Sequence, residues 1–228
     1  MSIYYEDDYV TLYHGDCLTE HREWLEADVL VTDPPYGREW KQGHLKGHTD
    51  NAAKDGIAND STTGVRDDAL AAWGVDRPAI AFGDLMLAPP AGTKLTCIYH
   101  KGDPTSGLRG AIGGTRRDAE AIYLIGKWKS GIGGRSSVFT STQQISGASG
   151  LVARSGGHPH TKPSGIMESL IGMCPPGTIA DPFSGSGSTL MAAKALGRKV
   201  IGVELEEKYC EVIAKRCAQE AFDFGISA

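Results

Sequence analysis

The sequence lacks an apolar run that approaches the ~20 residues a helix needs to cross a bilayer. Its first ten residues, MSIYYEDDYV, are acidic early and do not have the basic-then-apolar pattern of a secretory signal. The five cysteines include no CxxC pair and show none of the spacings typical of zinc sites. We therefore expect reduced core thiols in a cytoplasmic protein, with no metal centre.

Positive charge is not in excess either. The formal net charge is -5, which argues against a protein that binds nucleic acid over its whole surface. Acids are scarce only from Lys94 to Ser164, where ten Lys or Arg residues accompany three Asp or Glu residues. This asymmetry indicates either a basic face on an acidic body or chance clustering on a solvated surface, and charge alone does not separate the two.

No internal repeat is present, and 228 residues suit one large α/β domain or two small ones. Apolar runs at Val10–Tyr13 and Asp28–Thr32 flank Cys17–Glu26, which can form a short helix. This strand–helix–strand order is typical of parallel sheets. Further strands are predicted in AIAFGD, KLTCIYHKG, EAIYLIGKW, TIADP and VIGVELE, and further helices over Asp67–Trp73, around Met167, Leu170 and Ile171, after the glycine-rich turn, and around Tyr209, Val212, Ile213 and Cys217.

Two polar segments interrupt these elements. Arg38–Gly64 is rich in Gly, Asp, Asn and Lys without a clear period, and we interpret it as a loop or lid. Ser130–Gly157 is rich in Gly and Ser and almost free of acids, which predicts a flexible insert or a linker without function.

A glycine-rich turn, DPFSGSGSTL, lies between a predicted strand and a predicted helix. It lacks the third glycine of GxGxxG and the lysine of a P-loop, so neither standard phosphate-binding motif is present. Gly185 and Gly187 allow a tight turn that presents free amides at a helix N-terminus. The next strand ends at Glu204, whose carboxylate can accept both hydrogens of a ribose diol. The pattern predicts a nucleoside cofactor; the alternative is a plain tight turn with a solvated Glu204.

The stretch VTDPPYG, residues 31–37, ends another predicted strand. Two prolines stop a strand because they donate no hydrogen bond. Asp33 and the Pro34 carbonyl then offer two acceptors, and Tyr36 offers a flat ring. This set suits a planar base with an exocyclic NH2 group, since two acceptors hold both hydrogens while the ring stacks. The alternative is a stiff turn in which Asp33 only caps the backbone.

Together the two motifs resemble those of SAM-dependent DNA amino-methyltransferases of the β class, the N6-adenine and N4-cytosine family, where SAM is S-adenosylmethionine. In that class the DPPY motif precedes the cofactor motif. HTKP, residues 160–163, resembles the motif that closes over the methionine end of SAM, and HGDC, residues 14–17, resembles the strand end that reaches the SAM adenine.

The resemblance implies an α/β fold with a doubly wound, mostly parallel Rossmann-like methyltransferase sheet. Residues 1–126 would form the catalytic half of the core and residues 158–228 the SAM-binding half. Residues 127–157 would be a short flexible target-recognition insert. Because the insert is short and rich in Gly and Ser, we expect it either to recognise a very short site or to order only on DNA.

The resemblance also implies roles for individual residues. Asp33, Pro34, Pro35 and Tyr36 would be catalytic. The cofactor-binding residues would be Asp16, Cys17, Thr161, Lys162, Pro163, Asp181, Pro182, Phe183, Gly185, Ser186, Gly187 and Glu204. Among these, Asp16 would accept from the adenine amine, and Thr161 and Lys162 would face the methionine carboxylate. The methyl group would be displaced in line, without a metal and without a covalent enzyme intermediate.

DNA is the implied partner, with the target base flipped out of the duplex. Contacts to phosphates or base edges are expected from Arg109, Arg116, Arg117, Arg135 and Arg154. The aspartate before Pro-Pro-Tyr favours adenine N6 over cytosine N4 in this class. An inactive homologue that binds SAM or DNA, and an enzyme that methylates RNA or a protein amide, are the alternatives. The oligomeric state is open, a homodimer included, as is the setting: a prokaryotic restriction-modification system, a housekeeping role or a phage.

Overall fold

The computed structural model describes residues 3–37, 62–104, 106, 111–130, 133–144, 150 and 161–223. In this part of the chain, nine strands form one sheet. The strands are β1 (Ile3–Glu6), β2 (Val10–His14), β3 (Val29–Thr32), β4 (Ala79–Gly83), β5 (Thr93–Lys101), β6 (Ala119–Ile125), β7 (Val138–Ser141), β8 (Ile179–Asp181) and β9 (Val200–Glu204). The helices are α1 (Gly64–Trp73), α2 (Ser164–Ile171), α3 (Ser188–Ala195) and α4 (Glu207–Asp223), with a 3₁₀ turn over Glu23–Glu26.

The strands follow the order β1-β2-β9-β8-β3-β4-β6-β5-β7 across the sheet. From β2 to β4 all neighbours are parallel. Strand β6 runs antiparallel between β4 and β5, β7 pairs with β5 in parallel, and β1 closes the other edge antiparallel to β2. This confirms the predicted α/β fold with a mostly parallel sheet.

Helices cover both faces of the sheet, so the central strands are buried on both sides. Along β3, Val29 and Val31 face one core, and Leu30 faces the other. Helices α2, α3 and α4 contribute to the first core, and α1 and the 3₁₀ turn to the second. In the second core, Trp24 and Trp73 stack with ring centroids 6.0 Å apart. The continuous apolar runs of the sequence are explained by this double burial.

The winding of the chain reverses between β8 and β3. From β8 the chain passes through α3 to β9 on one side, and from β3 it continues to α1 and β4 on the other. The connections leave the carboxyl ends of β8 and β3 in opposite directions, and this opens a crevice between them. Ligands of open α/β sheets bind at such a point.

Three elements differ from the sequence prediction. The helix expected over Cys17–Glu26 is reduced to the 3₁₀ turn over Glu23–Glu26. Residues 17–20 form a turn, in which Asp16 Oδ1 accepts from the N–H groups of Leu18 and Thr19. Edge strand β1 was not predicted. Strand β7 was not predicted either, and it lies within Ser130–Gly157, the segment interpreted as flexible. Its four residues add to the sheet through β5.

The described residues contain no helix long and apolar enough to cross a bilayer, and no cluster of side chains suited to a metal ion. All five cysteines are described, none of them forms a disulfide, and four are buried, as predicted for core thiols. Most of the predicted loop or lid over Arg38–Gly64 lies outside the described residues.

Candidate active site

A cleft of about 510 Å³ opens at the carboxyl ends of the parallel strands. Five strands, β2, β9, β8, β3 and β4, each contribute an acid at their last residue or within two residues of it. In that order the acids are Asp16, Glu204, Asp181, Asp33 and Asp84. Glu120 and Glu206 also line the cleft, which therefore attracts a cationic ligand and supplies many hydrogen-bond acceptors.

The proline-terminated end of β3 places Asp33 in this cleft. Thr32, the last residue of β3, donates its hydroxyl hydrogen to Asp181 at 2.7 Å and so links β3 to β8. Asp33 Oδ1 accepts from the Tyr36 hydroxyl at 2.7 Å, and Asp33 Oδ2 accepts from the Lys162 ammonium at 2.5 Å. The DPPY motif is therefore linked to β8 through Thr32 and to the HTKP motif through Lys162.

Lys162 is almost fully buried, with 5% of its surface exposed. Its Nζ lies 3.3 Å from Glu120 Oε2 and 3.3 Å from the Tyr36 oxygen, and 4.8 Å above the centre of the Phe82 ring. Burial lowers the pKa of this ammonium, but the carboxylates of Asp33 and Glu120 more than offset that effect and leave the pKa raised. Lys162 is therefore a cation at neutral pH.

Glu120 is a member of the site that sequence reasoning missed. It lies near the start of β6, is 9% exposed, and forms an ion pair with Lys101 through its second oxygen. Its Oε2 is also 3.3 Å from the Tyr36 hydroxyl. The signal in the sequence is an acid within the apolar run AEAIYLI, at a position that faces the first core together with Ile122 and Leu124.

The glycine turn follows β8 and starts α3. Gly185 and Gly187 have φ values of 50° and 82°, in the left-handed region that favours glycine. At Gly187 a Cβ would lie 2.8 Å from Ile213 Cγ1, so α4 also packs too closely for a side chain. The turn is thus fixed by backbone conformation and by packing, as the glycines predicted.

Glu204 ends β9 with its carboxylate buried beside this turn. Its Oε2 accepts from the Gly185 N–H at 2.7 Å and its Oε1 from the Glu206 N–H at 2.8 Å. Burial raises the pKa of Glu204 to about 7 in spite of these hydrogen bonds. Burial likewise raises the pKa of Asp181 to about 6, although hydrogen bonds from Thr189 and Thr32 favour its ionised form.

The family of the chain follows from its sequence. Residues 73–216, which run from the end of α1 through the glycine turn into α4, match the family described as DNA methylase, N6_N4_Mtase. The chain belongs to the DNA methylase family. This membership confirms the family predicted from the two motifs.

Curated relatives match this chain over short segments. A type II methyltransferase from Streptomyces caespitosus, M.ScaI, is 41% identical over 66 residues, which are 28% of this chain and 22% of that protein. M2.DpnII from Streptococcus pneumoniae is 42% identical over 67 residues, 28% of this chain and 25% of that protein. The matched segments thus span about a quarter of the length of these relatives.

Two solved structures resemble nearly the whole chain. The M1.HpyAVI–SAM complex aligns with a TM-score of 0.62 at 21% identity and covers 91% of this chain and 98% of its own. PvuII DNA methyltransferase, described as cytosine-N4-specific, aligns with a TM-score of 0.64 at 17% identity and covers 93% and 87%. These similarities establish the Rossmann-like methyltransferase fold.

The cleft collects most of the predicted site residues. Those that line it are Asp16, Cys17, Asp33, Pro34, Pro35, Tyr36, Lys162, Asp181, Pro182, Phe183, Gly185, Ser186 and Glu204. Thr161, Pro163 and Gly187 are buried and do not line it. Burial raises the pKa of Cys17 to about 12, so its thiol stays protonated at neutral pH.

The predicted DNA-binding arginines differ in their surroundings. Arg117 is exposed and lines the cleft. Arg116 points to Asp118, with an ion pair of 2.9 Å, and donates to the Asp103 carbonyl. Arg135 is exposed and donates to the Ser169 carbonyl at the surface of α2. The other two, Arg109 and Arg154, lie outside the described residues.

Proposed function

We propose that this chain is a SAM-dependent DNA methyltransferase that transfers a methyl group to the N6 amino group of adenine. The observation that carries the proposal is the link between the two motifs. Asp33, after β3, lies one residue from Thr32, whose hydroxyl contacts Asp181 at the head of the glycine turn. Acceptors for a target amine and a cradle for a nucleoside thereby share one cleft.

The cleft fits SAM by its donor set and charge. Asp16 and Glu204 supply carboxylates at the ends of β2 and β9, as an adenosine with an amine and a ribose diol requires. The glycine turn places main-chain atoms next to the N-terminus of α3. Cys17 and Lys162, which are also predicted ligands, line the same cleft. SAM, when bound, supplies an electrophilic methyl group on a positively charged sulfur, and the acidic cleft favours that charge.

The residues after β3 would hold the target amine. Asp33 and the Pro34 carbonyl accept its two hydrogens, so that the nitrogen lone pair points out of the plane of the base. Tyr36 stacks on the base, a contact worth about 1–3 kcal/mol for comparable pairs. Catalysis then rests on orientation and on acceptors aimed at the charge that develops on the amine.

DNA is the proposed substrate because the family is that of DNA methylases and because a basic residue, Arg117, lines the cleft. A stacked base cannot reach Asp33, which lies within the cleft with 19% of its side chain exposed, so the target is flipped out. The aspartate at position 33 favours adenine in the resembled class. Cytosine N4 is the second candidate, since the same two acceptors fit its amine.

Target recognition is proposed for residues 127–157, between the catalytic and SAM-binding halves of the core. Restriction-modification in a prokaryotic or phage-infected cytoplasm is the setting that this activity suits. Its partners would be DNA and, if it dimerises, a second copy of the chain.

The proposal is tested by incubating the protein with SAM labelled on its methyl group and unmethylated DNA, RNA or protein. We expect label in DNA, and after digestion to nucleosides we expect it in N6-methyladenine. Label found only in N4-methylcytosine would change the assigned target from adenine to cytosine. Label confined to RNA or protein would overturn the assignment of DNA as the substrate. Absence of transfer in every arm would favour an inactive homologue.

A further inference from the structure

The Tyr36 hydroxyl has two acceptors within reach. It lies 2.7 Å from Asp33 Oδ1 and 3.3 Å from Glu120 Oε2. A phenol carries one hydrogen, so the shorter contact holds the hydrogen bond here and Glu120 is the alternative acceptor. Burial, followed by the nearby carboxylates, raises the pKa of Tyr36 well above its usual value, so the hydroxyl keeps this hydrogen.

Asp33 is engaged through both of its oxygens in this arrangement. Oδ2 accepts from Lys162 at 2.5 Å, and Oδ1 accepts from Tyr36 at 2.7 Å. The proposed function requires Asp33 to accept from the target amine as well. Oδ1 has two lone pairs, but an amine that shares this oxygen weakens the hydrogen bond from the Tyr36 hydroxyl, since Asp33 then accepts three hydrogen bonds. A hydroxyl that leaves Oδ1 needs another acceptor, because a buried donor without a partner costs about 1–3 kcal/mol.

We propose that Glu120 is a positioning residue that accepts the Tyr36 hydroxyl when the target amine binds to Asp33. This inference rests on the proposed function. Lys101 binds the other oxygen of Glu120, and this ion pair keeps Oε2 directed at the site. Lys162 contacts both carboxylates and the Tyr36 oxygen, so it holds all three groups together while the hydroxyl changes partner.

The test compares Glu120→Gln with Glu120→Met, because both remove the charge and only glutamine retains an acceptor oxygen. In the parent background we expect kcat to be about 10-fold lower for methionine than for glutamine, as for the loss of one buried acceptor. KM for DNA and the SAM dissociation constant should be alike in the two variants. In a Tyr36→Phe background the gap in kcat should shrink to within about 2-fold, since no hydroxyl remains to be accepted.

An equal gap in the two backgrounds would overturn the inference, because it would assign the effect of Glu120 to Lys162 alone. A structure with the target nucleotide bound gives a second test that needs no variant. We expect the Tyr36 oxygen within hydrogen-bond distance of Glu120 and beyond it from Asp33. Retention of the Asp33 contact would contradict this. If the parent protein transfers no methyl group to DNA, the proposed function fails as well. If the parent is active, an equal gap in kcat or a retained Asp33 contact overturns only the change of partner by the Tyr36 hydroxyl.

Discussion

At the scale of single residues, Asp33 lies where the two sequence motifs meet. It follows the strand that touches Asp181 through Thr32, and it faces Lys162 and Tyr36. Replacement of Asp33 therefore changes the proposed acceptor for the target amine without removing a residue of the glycine turn.

Asp33→Ala should lower kcat for methyl transfer by about 100-fold or more, a magnitude typical of removing one preorganised group that stabilises the transition state. The SAM dissociation constant, measured by calorimetry, should change little because Glu204 and the turn remain. Glu120, still beside Lys162, would keep that ammonium paired. Full residual activity would exclude Asp33 from the mechanism.

Glu204 predicts how stability depends on pH. Burial raises the pKa of Glu204 in the folded protein from an ordinary 4.5 to about 7. Below about pH 4.5 the carboxyl group is protonated in the folded and unfolded states alike, and its burial is tolerated. As pH rises through 7 the buried group must ionise, and this destabilises the folded state. This one group should lower the free energy of unfolding by about 3 kcal/mol across that interval. Asp181, with its pKa raised to about 6, acts in the same direction.

Denaturant unfolding at pH 4.5, 6 and 7.5 measures this dependence. Glu204→Gln should reduce the loss of stability with rising pH, because glutamine does not titrate, and the smaller slope that remains belongs to Asp181. Parallel pH dependences for the parent and Glu204→Gln would contradict the raised pKa.

Single residues also show what the sequence alone can reveal of the site. Asp33 and Glu204 were found because each ends a recognisable strand beside proline or glycine signals. Glu120 was missed because its role depends on β6 running antiparallel beside β4, a pairing that no local pattern encodes. For the same reason the sequence did not predict that Lys162 contacts both Asp33 and Glu120.

At the scale of elements, the turn between β8 and α3 is determined by packing against α4. Gly187→Ala combines a left-handed backbone with a Cβ 2.8 Å from Ile213, so it should destabilise the fold by about 1–3 kcal/mol and weaken SAM binding. Gly165→Ala on α2 is a matched control. A Cβ there meets nothing within 4 Å, and alanine favours a helix by about 0.5–1 kcal/mol.

Urea denaturation of both variants makes this comparison. We expect a lower midpoint for Gly187→Ala and an equal or higher midpoint for Gly165→Ala. Equal stability of Gly187→Ala and the parent would show that the turn and α4 relax around a side chain.

Elements with strong local signals were predicted well, and those that depend on neighbours were not. The apolar runs of β3 and β4 and the glycine that starts α3 identify their elements directly. Strand β7 has only four residues in a Gly- and Ser-rich segment, and it forms because β5 offers an edge. The predicted helix over Cys17–Glu26 is reduced to a 3₁₀ turn over Glu23–Glu26, a difference that no local pattern in the sequence marks.

At the scale of the whole molecule, the proposed function requires an acidic chain to approach an acidic polymer. Its net charge is -5, and the described basic side chains differ in how far ion pairs neutralise them. Arg116 is paired with Asp118, whereas Arg117 lines the cleft where a flipped nucleotide would enter. We therefore expect few phosphate contacts, made at particular sites.

The salt dependence of DNA affinity counts these contacts, with a slope of about -0.9 in log K against log salt for each phosphate neutralised. Arg117→Ala should make the slope shallower by about 0.9 and should weaken binding to all sequences alike. Lys215→Ala removes the same charge from α4, where Lys215 pairs with Glu211, and should leave the slope unchanged. An affinity independent of salt would refute phosphate binding. Equal slopes for Arg117→Ala and Lys215→Ala would show that Arg117, at the cleft, does not contact a phosphate.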